Sequence, residues 1–330
     1  MKKIRWGILS TAKIGREKVI PAMQQSPLCN IAAIASRDME SAKKTAAALQ
    51  IAKAYGSYEA LLNDADIDAV YIPLPNDLHV AWAIKAITAG KHVLCEKPIA
   101  MSAAQAASLL EVSQQHPQIK VMEGFMYRFH PQWAQAKKLI TEGDIGELKT
   151  VQSFFSYYNT DPNNIRNKKH AGGGGLMDIG CYCISISRYI FGKEPESVLG
   201  SVQYDSNTHT DNYTSGILNF SNGTASFTCS THLAPYQSVN ILGTEARIEI
   251  EIPFNAPPDK PTRMWLHKKN STEEIIFEAV DQYTLQGSLF SLAILHNSEV
   301  PTPLTDAVNN MKVIDAVFKS SKEGKWIEIK

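Results

Sequence analysis

The sequence predicts a two-domain protein, an α/β domain followed by an α+β domain. Three observations carry this prediction. Strand and helix patterns alternate through the first third of the chain, the pattern turns β-rich after Gly124, and 330 residues at 44% apolar content supply enough chain for two cores. In order, residues 4–9 form a short apolar run and 13–25 a helical stretch. Residues 30–35 read as a second strand, and the Ala-rich 40–49 as a helix. The continuous apolar run 68–74 is typical of a strand buried on both faces. A helix over 77–89 stops at Gly90, a strand follows at 92–95, a helix at 102–115 and a last strand at 119–123. Alternation at this rhythm implies a parallel sheet covered on both faces.

After Gly124 a helix is expected over 131–141, and β-type segments at 148–158, 198–204, 213–220, 224–232, 238–242 and 247–252. Asn222-Gly223 is a hairpin signal between two of them. A helix over 176–191 interrupts the β-rich half, 253–261 is a Pro-rich loop, and an amphipathic helix closes the chain at 305–321.

Charge is balanced, with 33 Lys plus Arg against 33 Asp plus Glu. This leaves no overall basic footprint for nucleic acid. No run of 18 apolar residues is present, so no membrane span is expected. Arg5 and Lys13 interrupt the apolar start, which reads as a strand rather than an export signal. Five cysteines without such a signal suit reduced thiols and a cytoplasmic location. Cys181 and Cys183 lack the C-x2-C spacing and the second pair of a zinc site, so no metal is expected and they read as core residues.

The first strand runs into Ser10-Thr11-Ala12-Lys13-Ile14-Gly15, the place of G-x-G-x-x-G in a dinucleotide fold. Ser10 and Ala12 stand where the first two glycines would be. Small residues still permit a tight turn that presents backbone N–H groups to a pyrophosphate. The second strand ends at Ser36-Arg37-Asp38. A cation there suits the 2′-phosphate of NADP, whereas Asp38 would suit the ribose of NAD; the placement of Arg37 favours NADP, with NAD as the alternative. Two further loops follow strand ends, where open α/β sheets bind ligands: Pro73-Leu74-Pro75-Asn76-Asp77-Leu78-His79 and Glu96-Lys97-Pro98. Asn76 is equally readable as a helix cap.

Downstream, four glycines precede Leu176-Met177-Asp178-Ile179-Gly180-Cys181-Tyr182. Such a run makes a turn, not a helix start. Asp178 and Tyr182 are four apart and share a helix face. By itself a helical tyrosine is more often a core residue.

With residues 6–15, Pro75 to His79, Glu96-Lys97-Pro98 and the Gly-Gly-Gly-x-Leu-x-Asp-x-Gly-x-Tyr pattern in this order, the chain resembles the glucose–fructose oxidoreductase / inositol dehydrogenase / MocA (Gfo/Idh/MocA) family along its whole length. Phe125-Met126-Tyr127-Arg128-Phe129-His130-Pro131 and Asn164-Ile165-Arg166 make it similar to the branch of dihydrodiol dehydrogenase, NADP-dependent xylose dehydrogenase and anhydrofructose reductase. The resemblance implies a Rossmann domain over 1–123, with the helix 302–321 packing back on it. It also implies a substrate-binding and oligomerisation domain over 124–301 with a large, open, mostly antiparallel sheet. It implies a cis Lys97–Pro98 bond and a homodimer or homotetramer formed through that sheet.

For the chemistry, the resemblance implies hydride transfer between a nicotinamide and a sugar or polyol, with Tyr182 as acid/base. Lys97 is expected to assist by favouring phenolate and stabilising an oxyanion. Asp178 is expected to orient sugar hydroxyls or Lys97. Pro73, Leu74, Asn76, His79 and Glu96 are expected on the cofactor side, and Arg166 and His170 on the substrate side. Alternatives are a trans-dihydrodiol-type dehydrogenase, a reductase of nucleotide-linked ketosugars, and a non-catalytic dinucleotide-binding regulator. The regulator would be expected to lack Lys97 or Tyr182. The nucleotide-sugar reductase would want a basic diphosphate site, for which Lys168-Lys169 is the one suggestive pair.

Overall fold

A computed structural model describes residues 2–329. It divides into two compact units, the first running to Met126 and taking in Gln282–Val308, the second comprising Tyr127–Asp281 and the chain from Asn309.

The first unit is built on strands β1 (Ile4–Leu9), β2 (Cys29–Ala35), β3 (Lys53–Tyr55), β4 (Ala69–Ile72), β5 (His92–Cys95) and β6 (Val121–Glu123). They form one sheet in the order β3-β2-β1-β4-β5-β6, and each neighbouring pair is parallel. The order reverses beside β1, which makes the β1/β4 boundary the switch point where such sheets bind ligands. All four residues of β4 are buried, the reason its sequence reads as an unbroken apolar run. Gly7 lets β1 pass close to its covering helix, since a Cβ there would lie 2.5 Å from Leu61 Cδ2.

One helix of this unit has no counterpart in the sequence reading. Gln282–His296 packs against β1, where Trp6 Nε1 donates to Ser291 Oγ at 3.2 Å and the Trp6 and Phe290 rings lie 5.7 Å apart. Its periodicity is hard to read because apolar residues occur all round it and Gly287 interrupts it. That glycine is a packing residue: a Cβ would meet Met23 Cγ at 2.8 Å.

The second unit holds β7 (Leu148–Tyr158), β8 (Ser197–Tyr204), β9 (Asp211–Phe220), β10 (Gly223–Ser230), β11 (His232–Gly243), β12 (Ala246–Ile250), β13 (Thr262–Lys268), β14 (Ser271–Phe277) and β15 (Ile327–Glu328). Their order is β14-β13-β12-β11-β7-β10-β9-β8-β15. β7 and β10 pair in parallel, and the other neighbours pair antiparallel. Alternate residues Ala225, Phe227 and Cys229 of β10, with Val151 and Phe155 of β7, are buried. Gly180, at the start of the helix Cys181–Phe191, faces this side, since a Cβ on it would lie 2.7 Å from Cys229 Sγ.

β11 begins six residues before the apolar segment that predicts it. Pro235 cannot donate to a ladder, and the pairing with β7 shifts register between His232 and Tyr236, where a bulge absorbs it. The β9–β10 turn consists of Ser221 and Asn222, because Gly223 already pairs with Phe220. A side chain on Gly223 would collide with Lys149 O.

The last helix, Leu304–Glu323, lies in the second unit from Asn309 onward. There Ser320 Oγ accepts from Gly200 N at 3.0 Å and Ser321 Oγ accepts from Val202 N at 2.9 Å. All five cysteines are buried free thiols. Among the described residues no group of His, Cys, Asp and Glu could hold a metal, and no helix is long and apolar enough to cross a membrane.

The helix Pro131–Thr141 is capped by a buried histidine, His130, whose Nδ1 accepts from Gln132 N at 3.3 Å. Burial pushes its pKa down from 6.5 to about 4. The neutral ring's contribution is therefore complete above pH 6.5 and lost as the pH falls towards 4. His130→Asn keeps a capping oxygen without the charge change. Urea midpoints should show the wild type losing about 3 kcal/mol relative to this variant over that interval.

Candidate active site

In the first unit the loops after β1, β2, β4 and β5 all leave the carboxyl edge of the parallel sheet. Ser10 follows β1 with φ 136°, a conformation that favours glycine. Its hydroxyl donates to Pro73 O at 3.2 Å and accepts from Ala12 N at 3.0 Å. Serine thus holds the first-glycine position by tying the β1 loop to the β4 loop. Thr11 Oγ1 lies 3.3 Å from Ser41 Oγ, and Thr11 O accepts from Arg16 Nε at 2.9 Å. Ile14 is half-buried, and the exposed Lys13 faces Glu17 at 3.8 Å. The helix then opens with a π turn over Gly15–Val19, closed by Ile20 N bonding to Gly15 O. The small residues and the helix start fit a nucleotide pyrophosphate.

At the β2 end Asp38 and Arg37 take different roles. Asp38 caps the helix Met39–Ala48, its carboxylate accepting from Glu40 N and Ser41 N at 3.2 Å each. Ser36 Oγ accepts from Asp38 N at 3.2 Å. Arg37 is exposed, close enough to Tyr58 to oppose the rise that burial imposes on its phenol. The carboxylate is committed to the helix, and the cation is presented at the strand end.

The helix Asn76–Thr88 has Pro75 as its cap residue, without a side-chain cap, so Asn76 does not serve as the cap. His79 is fully buried. Its Nε2 lies 2.8 Å from Leu74 O and its Nδ1 2.8 Å from Pro98 O. Glu96 accepts from Tyr71 Oη at 2.6 Å, and the Lys97–Pro98 peptide is cis.

In the second unit the glycine run does more than turn the chain. Gly172 has φ 78° and Gly174 φ 126°. Gly173 N bonds to Lys168 O at 3.0 Å and Gly174 N to Arg166 O at 2.8 Å. A side chain on Gly173 would overlap Arg166 O. The run therefore wraps around the Arg166 backbone and sets that arginine beside the next helix. A second π turn, Leu176–Gly180, opens this helix, with Cys181 N bonding to Leu176 O. Such turns recur at functional sites.

Asp178, on the π turn, accepts at one oxygen from both Tyr157 Oη at 2.5 Å and Arg166 Nε at 2.9 Å. The ion pair raises the Arg166 pKa. Tyr182 is 5% exposed, its ring packed among Tyr127, Phe155 and Phe254 at centroid distances of 5.6, 5.7 and 5.5 Å. These aromatics fix the ring plane. His170 lies exposed on the single turn Lys169–Ala171.

Two contributors have no signal in the local sequence. Tyr157 reads as an ordinary strand aromatic, and only the sheet register brings its hydroxyl to Asp178. Asp211, on β9, accepts from Leu176 N at 2.6 Å and so caps the helix from another element. Burial pushes its pKa up to about 6.

A family model described as an oxidoreductase family with an NAD-binding Rossmann fold matches residues 4–125. The C-terminal domain model of the same family matches residues 133–249. The chain belongs to the Gfo/Idh/MocA oxidoreductase family. An uncharacterised oxidoreductase from Rhizobium meliloti is 40% identical, covering 99% of each chain. The D-xylose 1-dehydrogenase (NADP(+)) 2 of Haloferax volcanii is 36% identical, covering 98% of this chain and 99% of its own. The solved 3-ketoreductase of Actinomadura kijaniata, in complex with NADP and TDP-benzene, superposes with a TM-score of 0.91 at 29% identity over 97% of this chain and 98% of that one. Membership of the Gfo/Idh/MocA family makes this chain an oxidoreductase with an N-terminal NAD-binding Rossmann domain.

Gly174 tests the helix anchor. An added Cβ would overlap Asp211 Oδ1 at a backbone angle that side chains resist. Gly174→Ala should lower the denaturation midpoint by the equivalent of about 1–3 kcal/mol, read by tryptophan fluorescence.

Proposed function

We propose that this oxidoreductase transfers hydride between NADP and a sugar or polyol, with Tyr182 as acid/base and Lys97 as its electrostatic partner. The observation that carries the reading is the held carboxylate of Asp178, one turn before a tyrosine fixed in an aromatic box. A tyrosine with its ordinary pKa near 10 is a poor base at neutral pH. A neighbouring ammonium favours phenolate, and the same charge stabilises an alkoxide developing on substrate. Arg166 and Tyr157 hold Asp178 so that it can accept from substrate hydroxyls. When bound, the nicotinamide supplies or accepts the hydride.

Arg37 and the capped Asp38 favour NADP over NAD. Two relatives support the reading by their own descriptions, an NADP-dependent xylose dehydrogenase and a ketoreductase solved with NADP. Crystals of that ketoreductase include one variant with Tyr changed to Phe and one with Lys changed to Ala. The reading extends to association of copies through the outer face of the second sheet, where Phe154 and Tyr236 meet edge to face amid Gln152, Ser238 and Asn240. The buried free thiols fit a reducing, cytoplasmic setting.

Tyr182→Phe should lower kcat about a hundredfold or more with an aldose or polyol substrate, while NADPH binding, read by fluorescence, persists. Wild-type turnover in that variant would remove Tyr182 from the chemistry. Arg37→Ala should raise KM for NADP+ by about tenfold or more, as expected for a lost charge-assisted bond to phosphate, and leave KM for NAD+ nearly unchanged. Equal effects on both would assign the 2′-phosphate to another group.

A further inference from the structure

The loop that carries Lys97 is held by side chains from three other elements of the first unit. On the amino side, Tyr71 Oη of β4 donates to the Glu96 carboxylate at 2.6 Å, and Glu96 N bonds to Ile72 O at 3.1 Å. On the carboxyl side two charged or polar groups are sealed from solvent. His79 is 0% and Glu123 3% exposed. The His79 ring stands between the Pro98 and Leu74 carbonyls, 2.8 Å from each. Glu123 Oε1, at the end of β6, accepts from Ile99 N at 2.7 Å. The two residues that follow Lys97 are therefore both gripped through their backbone atoms.

This arrangement costs free energy. A neutral imidazole has one N–H for two carbonyl oxygens, and burial holds the His79 pKa below its ordinary value. A buried Glu receiving a backbone N–H is likewise an expensive way to end a short strand. Apolar side chains of similar volume would fill the same space, but none could fix the carbonyl of Pro98 or the amide of Ile99.

We propose that His79 and Glu123 are positioning residues that aim Lys97, acting on the chemistry only through it. The His79 ring bridges the loop after β4 and the loop after β5, donating its one N–H to one of the two carbonyls and packing against the other, and Glu123 ties the latter loop to β6. The ammonium is thereby held by a backbone that does not yield as charge develops. Misplacement of a charged group by about 1 Å can cost a hundredfold in rate. This rests on the assignment of Lys97 in the proposed function, and the experiment separates the two.

Turnover is measured for Lys97→Ala, His79→Ala, Glu123→Ala, Glu123→Gln and the double variant His79→Ala/Lys97→Ala. Ile99 amide exchange is measured without any ligand. If Lys97→Ala keeps wild-type turnover, the assignment of Lys97 fails, and with it the basis of the proposal. If Lys97→Ala is impaired, His79→Ala and Glu123→Ala should each lower kcat by about tenfold to a hundredfold, with NADPH affinity little changed. In the Lys97→Ala background, His79→Ala should cause no further loss, the non-additivity expected of one residue acting through another. A second loss of the same size in the double variant would overturn the proposal. Glu123→Gln retains an acceptor oxygen and should restore most of the turnover lost in Glu123→Ala. Ile99 exchange should be about tenfold faster in Glu123→Ala but not in Glu123→Gln. Should His79→Ala fail to fold, the Glu123 pair decides: wild-type kcat in Glu123→Ala with accelerated Ile99 exchange would overturn the brace.

Discussion

The pairing of β1 with β4 is the constraint on which the first unit's chemistry depends. It places the ends of two strands side by side at the reversal of strand order, so the loops leaving them run together. Ser10 turns that proximity into a bond by donating to Pro73 O. A non-glycine residue in such a conformation costs about 1–3 kcal/mol. Two hydrogen bonds from the same hydroxyl, each contributing about 1 kcal/mol, offset much of it. The degraded glycine motif is therefore an alternative solution to the same turn, in which side-chain bonding replaces conformational freedom.

The second unit solves a related problem with glycine itself. The Asp178 carboxylate needs donors from β7 and from the Arg166 loop. That loop reaches it because Gly173 and Gly174 accept backbone contacts that no side chain would permit. Asp211 then caps the helix start from β9, compensating for the weak helix tendency of the four glycines. The two π turns, one after the Ser10 loop and one after the glycine run, widen the helix where it meets these constraints.

What sequence discloses here follows from the range of the interactions. β1, β5, β7 and the helix Pro131–Thr141 coincide with their predicted spans, because local apolar pattern and breakers determine them. The segments carrying Ser10, Arg37, Lys97 and Asp178 are legible because they follow strand ends or glycines. The helix Gln282–His296 is not, because it is apolar on several sides and its glycine serves packing against Met23. Tyr157 and Asp211 are invisible for a different reason. Each acts across a register or between elements 21 and 35 residues apart, and no local pattern encodes that. His79 falls between these cases: its nearness to a strand end singles it out, but only the structure shows it buried on the helix Asn76–Thr88 with each ring nitrogen 2.8 Å from a backbone carbonyl.

The balance of charge takes on a different meaning at this level. A net charge of zero still leaves local arrangements in which each charge is held by different partners. Asp38 beside Arg37 is engaged by two backbone amides. Glu96 beside Lys97 accepts from a tyrosine hydroxyl. In both adjacent pairs the anion accepts from a neutral donor. In the second unit the opposite choice is made, with Asp178 paired directly to Arg166. A carboxylate held by neutral donors is oriented without an ion pair, whereas the direct pair fixes the Asp178 carboxylate and the Arg166 guanidinium to each other.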